Sequence, residues 1–131
     1  MSRRHTANSI QGKAERFEQL EVWEKAHELV LKIYKITEDF PSEEKFVLVS
    51  QMRRASVSIP ADIAEGFKKY GLKDKRNFYN IAQGSLEELR YYLILFKELG
   101  YYENTDEFHE LIENIGKMLY RLIKSIQGTK N

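Results

Sequence analysis

Cysteine is absent from this sequence of 131 residues, and there are only two prolines and seven glycines. The lack of cysteine excludes a disulfide framework and thiolate metal sites, and it fits a reducing cytoplasm, where we expect the protein to act. The longest apolar run, residues 91–96, is far too short to span a bilayer, and residues 1–16 lack the apolar segment of a secretory signal. We therefore expect one domain that does not enter a membrane.

An excess of one charge is also absent, because 21 basic and 20 acidic residues leave a net charge of +1. The two signs are nevertheless separated along the chain. Residues 17–44 sum to −5, with eight acidic and three basic side chains, whereas residues 45–76 sum to +5, with eight basic and three acidic ones. This pattern indicates that one helix end and its loop are basic.

What the chain has in abundance is apolar residues spaced by three and four, which is typical of α-helices. The spacing predicts helices over about residues 17–39, 43–67, 74–99 and 106–126. Ser42 is the expected N-cap of the second helix, and Gly100 is the expected left-handed C-terminal cap of the third.

The connections between these helices are short, so consecutive helices are expected to be antiparallel. We predict an all-α fold, an up-down-up-down four-helix bundle over residues 17–127. A flexible tail at residues 1–16 is expected before it, and a short tail at residues 128–131 after it. The second helix is expected to turn one apolar side inward, formed by Phe46, Val49, Val57, Ile63 and Phe67.

Two residues inside the predicted helices need a structural reason. Pro60 has no N–H for the carbonyl of Ser56, and its ring crowds that oxygen, so a kink in the second helix is predicted. Gly84 lies inside the third helix, where glycine costs about 1 kcal/mol relative to alanine. We expect Gly84-Ser85 to permit the close approach of another helix, and a substrate pocket is the alternative.

Several segments resemble a known family in order, spacing and residue type. They are residues 20–23, 26–27, 48–55, 57–66 and 84–89. The chain is similar to the four-helix-bundle proteins encoded by intervening sequences of bacterial 23S rRNA genes, often labelled S23 ribosomal proteins. One departure is Asp62, where the family usually has asparagine.

The resemblance implies a ring-shaped homopentamer. It also extends to the accessory variability proteins of diversity-generating retroelements, which are basic bundles that engage nucleic acid and a reverse transcriptase. Nucleic acid or a nucleic-acid-processing protein is therefore an expected partner.

Residues 91–96 are consecutive apolar residues that point all round the third helix. The outward members, Tyr91, Ile94 and Leu95, are candidates for a subunit interface, although isolated exposed aromatic residues are also common. Arg53 falls on the apolar side of the second helix, where its charge needs a partner. It is expected to pair with Glu87 or Glu88, to lie at a subunit boundary, or to contact an anion.

A basic cluster surrounds the loop between the second and third helices, with aromatic residues nearby. Lysine and arginine contact phosphates, and aromatic rings stack on unpaired bases, whereas a solvated charged loop is the plainer interpretation. The candidate nucleic-acid-binding residues are Arg54, Lys68, Lys69, Lys73, Lys75 and Arg76.

No arrangement in the sequence indicates catalysis. Glu24 and His27, and again Asp106 and His109, have the spacing of di-metal ligands, but both carboxylates point about 160–180° away from the apolar stripe of their helix. We expect no metal and no cofactor. The predicted function is that of a non-catalytic oligomeric scaffold that binds nucleic acid or a nucleic-acid-processing protein. The alternative is a protein-only interaction module that uses the outer face of the third helix.

Overall fold

The computed structural model of the protein describes residues 14–40 and 43–127. Within these residues the chain forms one 3-10 helix and four α-helices, and no strand. The 3-10 helix is Phe17–Gln19, and the α-helices are α1 (Glu21–Ile36), α2 (Glu43–Lys68), α3 (Leu72–Glu98) and α4 (Asp106–Gln127). The predicted all-α fold is confirmed.

Helices that are consecutive in sequence pack against each other, and α1 also packs against α4, which closes the bundle. Contacts at one end of the bundle show which helix ends lie together. Phe40, just after α1, lies 5.3 Å from the ring of Phe96 near the end of α3. Lys32 of α1 forms a 2.8 Å ion pair with Glu107 at the start of α4. The topology is therefore that of an antiparallel four-helix bundle.

Each helix contributes one buried stripe to the core. The largest fully buried side chains include Leu29 and Ile33 from α1, Leu89 from α3, and Ile115 from α4. These residues recur at three and four positions along their helices, as the sequence pattern predicts. The core is thus a continuous column between the four helices.

The prediction for α2 is wrong in part. Val49 and Ile63 are buried, but the side chain of Phe46 is 64% exposed and that of Val57 is 42% exposed. The buried stripe runs instead through residues such as Met52. Phe46 and Val57 lie within about 20° of each other around the helix but about 120° from Met52, so the apolar residues of α2 occupy two sides. Periodicity alone cannot choose between two such sides.

Gly100 ends α3 as predicted. Its φ of 82° is left-handed, which glycine adopts without steric cost. Its N–H donates to the carbonyl of Lys97 at 2.9 Å, and the N–H of Tyr101 donates to the carbonyl of Phe96 at 3.0 Å. The rings of Phe96 and Tyr101 then pack 5.6 Å apart, so the Schellman arrangement is complete.

The close approach expected at Gly84 occurs at Gly66 instead. A Cβ on Gly84 would meet nothing within 4 Å, because this position is exposed on the outside of α3. A Cβ on buried Gly66 would stand 2.7 Å from Cε1 of Tyr79 on α3. The prediction is therefore wrong for Gly84, whereas Ser85 lies at the contact with α2 and shares a 2.6 Å hydrogen bond with Ser58. Gly66 is the glycine that lets α2 and α3 approach.

Helix α2 continues through Pro60, which is buried, and the predicted kink there stays a prediction. The N-cap expected at Ser42 lies outside the described residues, as do residues 1–13 and 128–131 of the predicted tails. Ala14, inside the first predicted tail, packs against the core.

Candidate nucleic-acid interface

A short connection concentrates positive charge at one end of the bundle. Helix α2 ends at Lys68 and α3 begins at Leu72, so only residues 69–71 lie between them. Lys69 lies in this connection, and Lys73, Lys75 and Arg76 lie at the start of α3. We call the end of the bundle formed by residues 68–76 the basic end.

The most accessible part of the basic end combines two cations and an aromatic ring. Lys68 and Lys73 are exposed, and neither makes an ion pair with another residue that the structure describes. Tyr70 between them is 99% exposed, so both faces of its ring are open to solvent. Lys69 is half-buried, and its ammonium lies 5.2 Å from the ring centroid of Phe78. Exposed cations contact phosphates and an open aromatic ring stacks on a base, so this short segment carries both kinds of group.

Lys75 has a structural role in addition to its charge. Its Nζ donates to the carbonyls of Phe67 at 2.7 Å and Gly66 at 3.3 Å, and it lies 5.6 Å from the Phe67 ring centroid. A cation at these last carbonyls stabilises the C-terminus of α2. Burial lowers the pKa of Lys75 from its ordinary value. Two of its three N–H donors are therefore occupied within the protein.

Arg76 borders a shallow depression of about 350 Å³ at the start of α3. Lys73, Asn77 and Asn80 supply further hydrogen-bond donors to this depression, and Asp74 supplies one opposing charge. A guanidinium, an ammonium and two amides match the acceptor oxygens of a phosphate.

Arg54 does not belong to this surface. It lies farther up α2, about 20 Å from Lys68 along the helix axis. Its Nη2 donates to Oε1 of Gln51 at 2.8 Å. The hydroxyl of nearby Tyr92 donates to Glu88 at 2.9 Å, and this hydrogen bond raises the pKa of Tyr92, whereas the charge of Arg54 lowers it. Arg54 thus belongs to a polar cluster on the outside of α2 and α3.

Arg53 has a different partner from the one expected. Its Nε donates to Oγ1 of Thr37 at 2.9 Å, its Nη2 lies 3.5 Å from the carbonyl oxygen of Tyr34, and its guanidinium lies 4.4 Å from the Tyr34 ring centroid. The expected pairing with Glu87 or Glu88 is therefore wrong. Arg53 faces α1, because the C-terminus of α1 offers it a hydroxyl, a carbonyl and an aromatic face.

The other predicted interface residues do not lie beside Arg53. Tyr91 is 56% exposed on the outside of α3. Ile94 is half-buried and borders a pocket at the start of α4, whereas Leu95 is half-buried and borders a depression beside α2. An oligomer that used all four residues would need two separate faces of the bundle, and their role as an interface stays a prediction.

Neither di-metal spacing brings ligands together. His27 is exposed and stacks on Trp23 at a centroid distance of 5.0 Å. His109 is half-buried, and burial lowers its pKa, with smaller contributions of the same sign from Arg90 and Lys97. Within residues 14–40 and 43–127, no three His, Asp or Glu side chains are grouped as metal ligands.

Three features were not predicted from the sequence. A groove of about 920 Å³ separates α3 from α4, with Leu86 and Ile112 in its lining. A 2.6 Å hydrogen bond joins Ser58 of α2 to Ser85 of α3. Thr105, just before α4, is buried. Only Thr105 carried a recognisable signal, because threonine followed by two acidic residues is typical of a helix N-terminus.

Over the part of the chain that the structure describes, no helix is both long and apolar enough to cross a membrane.

Comparisons with known proteins agree with this architecture. No curated protein matches the chain. A solved structure from Bacteroides thetaiotaomicron VPI-5482, described as a protein with unknown function from the S23 ribosomal protein family, is similar with a TM-score of 0.59 and 27% sequence identity. The similarity covers 80% of this chain and 94% of that one. The family model described as 23S rRNA-intervening sequence protein matches residues 18–121, so the chain belongs to this family.

Proposed function

We propose that the protein is a non-catalytic, oligomeric scaffold of the cytoplasm that binds RNA or DNA through its basic end. One observation carries the proposal: Lys68 and Lys73 are exposed, and Tyr70, which lies between them in the sequence, has a fully accessible ring. Phosphate contacts would supply affinity without base specificity, and the Tyr70 ring would stack on an unpaired base. A single-stranded segment is therefore the expected ligand.

The six predicted cations contribute unequally to this proposal. Lys68, Lys73 and Arg76 have donors directed to solvent or to the depression at the start of α3. Lys69 and Lys75 strengthen the local potential while they also pack on Phe78 and cap α2. Arg54 would contact only a ligand long enough to continue along the outside of α2.

Oligomerisation, with five subunits as the expected number, would repeat the basic end and raise affinity through multivalency. This part of the proposal is independent of the ligand. Light scattering on the purified protein tests it, and a mass equal to one subunit at all concentrations would contradict it.

The binding experiment measures affinity for a fluorescent single-stranded RNA at several salt concentrations. Lys68→Glu with Lys73→Glu should weaken binding and flatten the salt dependence by about 0.7 in logarithmic slope per lost phosphate contact. Tyr70→Ala should weaken binding by about 1–3 kcal/mol per stacked base but leave the slope unchanged.

A matched control reverses two exposed lysines elsewhere, Lys35→Glu with Lys117→Glu, and changes the net charge equally. If the control weakens binding as much as the basic-end variant, the interaction reflects overall charge and the proposed site is wrong. Binding that does not change with salt would also contradict the proposal.

A second candidate function is a protein-only interaction module. The exposed ring of Tyr91 and the depression between Leu95 and Val47 favour it, because both lie outside the bundle core. Tyr91→Ala would abolish capture of such a partner, whereas the basic-end variant would not.

A further inference from the structure

The end of the bundle opposite the basic end carries the opposite charge. The antiparallel topology brings the end of α3 beside the start of α4, so Glu98, Glu103 and Asp106 lie at this end. Glu38 and Asp39, just after the end of α1, add to the same charge. We call this the acidic end. The two ends are separated by the length of α3, whose 27 residues span about 40 Å.

The acidic end contains a pocket of about 390 Å³ between α3 and α4. Ile94 forms an apolar part of its lining, and the carboxylates of Glu98, Glu103 and Asp106 surround it. Glu98 and Glu103 make no ion pair with another described residue. An apolar wall with carboxylates at the rim suits the alkyl stem and charged head of a long cationic side chain.

A buried hydroxyl in the lining of the pocket lacks a hydrogen-bond partner. Thr105 is 1% exposed, and its Oγ1 has no partner among the described residues. The N–H groups of Phe108 and His109 donate to the backbone carbonyl of Thr105, each at 3.1 Å, rather than to this hydroxyl. A buried polar atom without a partner costs about 1–3 kcal/mol.

The balance of charge in the pocket selects a cation over an anion. Three carboxylates face one ammonium, that of Lys97. Burial also lowers the pKa of His109 from its ordinary value, which disfavours a second positive charge in the pocket. A primary ammonium or a guanidinium is therefore the chemical class that the pocket would accept.

We infer that this pocket receives a lysine side chain from the basic end of a second copy of the chain. The lysines at the basic end of the same copy lie about 40 Å from the pocket and cannot reach it. Lys68 and Lys73 are exposed and carry the complementary charge. Because the two surfaces differ, the contact is heterologous and joins copies end to end.

This contact has a regulatory consequence. The lysines that enter the acidic end are those proposed to contact phosphates, so self-association and nucleic-acid binding exclude each other. The competition rests on the proposed function, whereas the association itself does not. The carboxylates at the acidic end of one copy would bind the lysines of the next copy, which otherwise bind phosphates.

Sedimentation velocity without nucleic acid tests the association. The wild-type protein should form larger species as its concentration rises at about 0.01 M salt, and these should dissociate at about 1 M salt, where the Debye length falls from about 30 Å to about 3 Å. Glu98→Lys with Glu103→Lys should lower the association constant by at least about tenfold, and so should Lys68→Glu with Lys73→Glu.

An equimolar mixture of the two charge-reversed variants should restore the larger species, because each then offers the other a complementary end. Lys117→Glu, at an exposed position in the middle of α4 and away from both ends, is the control and should associate like the wild type.

A wild-type mass that does not change with concentration at low salt would overturn the inference, as would a mixture that fails to associate. Unchanged association in Glu98→Lys with Glu103→Lys would overturn the pocket as the site of contact. If the copies associate but no RNA binds, the proposed function fails and the end-to-end contact stands.

Discussion

The two sides of α3 differ in how closely a neighbouring helix approaches. Against α2, the backbone of Gly66 lies so near Tyr79 that an added Cβ would stand 2.7 Å from its ring, and Ser58 and Ser85 are joined by a 2.6 Å hydrogen bond. Against α4, a groove of about 920 Å³ remains open. Small side chains on α2 permit the close contact. The difference indicates that α2 and α3 form the closely packed half of the bundle.

The largest expected effect comes from filling the close contact. Gly66→Ala should destabilise the protein by about 1–3 kcal/mol, because the new methyl group overlaps the Tyr79 ring in a packed core. Urea denaturation followed by circular dichroism measures this change. The matched control is Gly84→Ala, which meets nothing within 4 Å and should stabilise the exposed middle of α3 by about 1 kcal/mol. Two stabilising substitutions would mean that α2 and α3 are not in close contact.

High pH should destabilise the protein, because the buried hydroxyl of Tyr79 resists ionisation in the folded state. Burial raises its pKa above the ordinary value of 10.0, so above pH 10.0 the unfolded chain loses this proton while the folded protein keeps it. Stability should therefore fall as the pH rises, by up to about 1.4 kcal/mol per pH unit.

Tyr79→Phe should remove this part of the alkaline loss, as the difference in urea midpoint between about pH 9 and about pH 11 would show. The control is Tyr120→Phe, since Tyr120 is exposed and should not alter the pH dependence. If the wild type and Tyr79→Phe lost the same stability between these two pH values, the loss could not be assigned to the ionisation of Tyr79.

A smaller effect is expected at the end of the α2–α3 contact. Lys75→Ala removes the donor to the carbonyls of Phe67 and Gly66 and should cost about 1 kcal/mol of unfolding free energy. Lys73→Ala, at an exposed position, should leave stability unchanged. If both variants were equally stable, the ammonium of Lys75 would be no cap, and it would be as available to phosphates as its neighbours.

The helices, their order and the cap at Gly100 could be predicted because each depends on local spacing or on a backbone conformation that favours one residue type. The inward side of α2 could not be predicted fully, since Phe46 and Val57 form a second apolar side that burial does not use. Which of the two sides of α2 is buried depends on the helices that pack against it, and tertiary packing determines those neighbours.

The site was predictable in composition but not in the role of each residue. The cluster at residues 68–76 follows from the sequence, whereas the division between exposed Lys73 and the capping Lys75 depends on where the last carbonyls of α2 point. Arg53 shows the same limit. A charge on the apolar side of a helix needs a partner, but sequence cannot tell that the partner is the end of α1 rather than a carboxylate on α3.

The smallest expected effect lies on the open side of α3. A Cβ on Gly116 of α4 would meet Cδ2 of Leu86 at 3.6 Å, an ordinary contact, so Gly116→Ala should fit and stabilise the protein by about 0.5 kcal/mol. Replacing glycine by alanine should thus lower the free energy of unfolding on the α2 side of α3 and raise it on the α4 side. Urea midpoints of Gly66→Ala and Gly116→Ala, measured together, provide the test. If Gly116→Ala is destabilising, α4 packs on α3 more closely than the open groove indicates, and the contrast between the two sides is wrong.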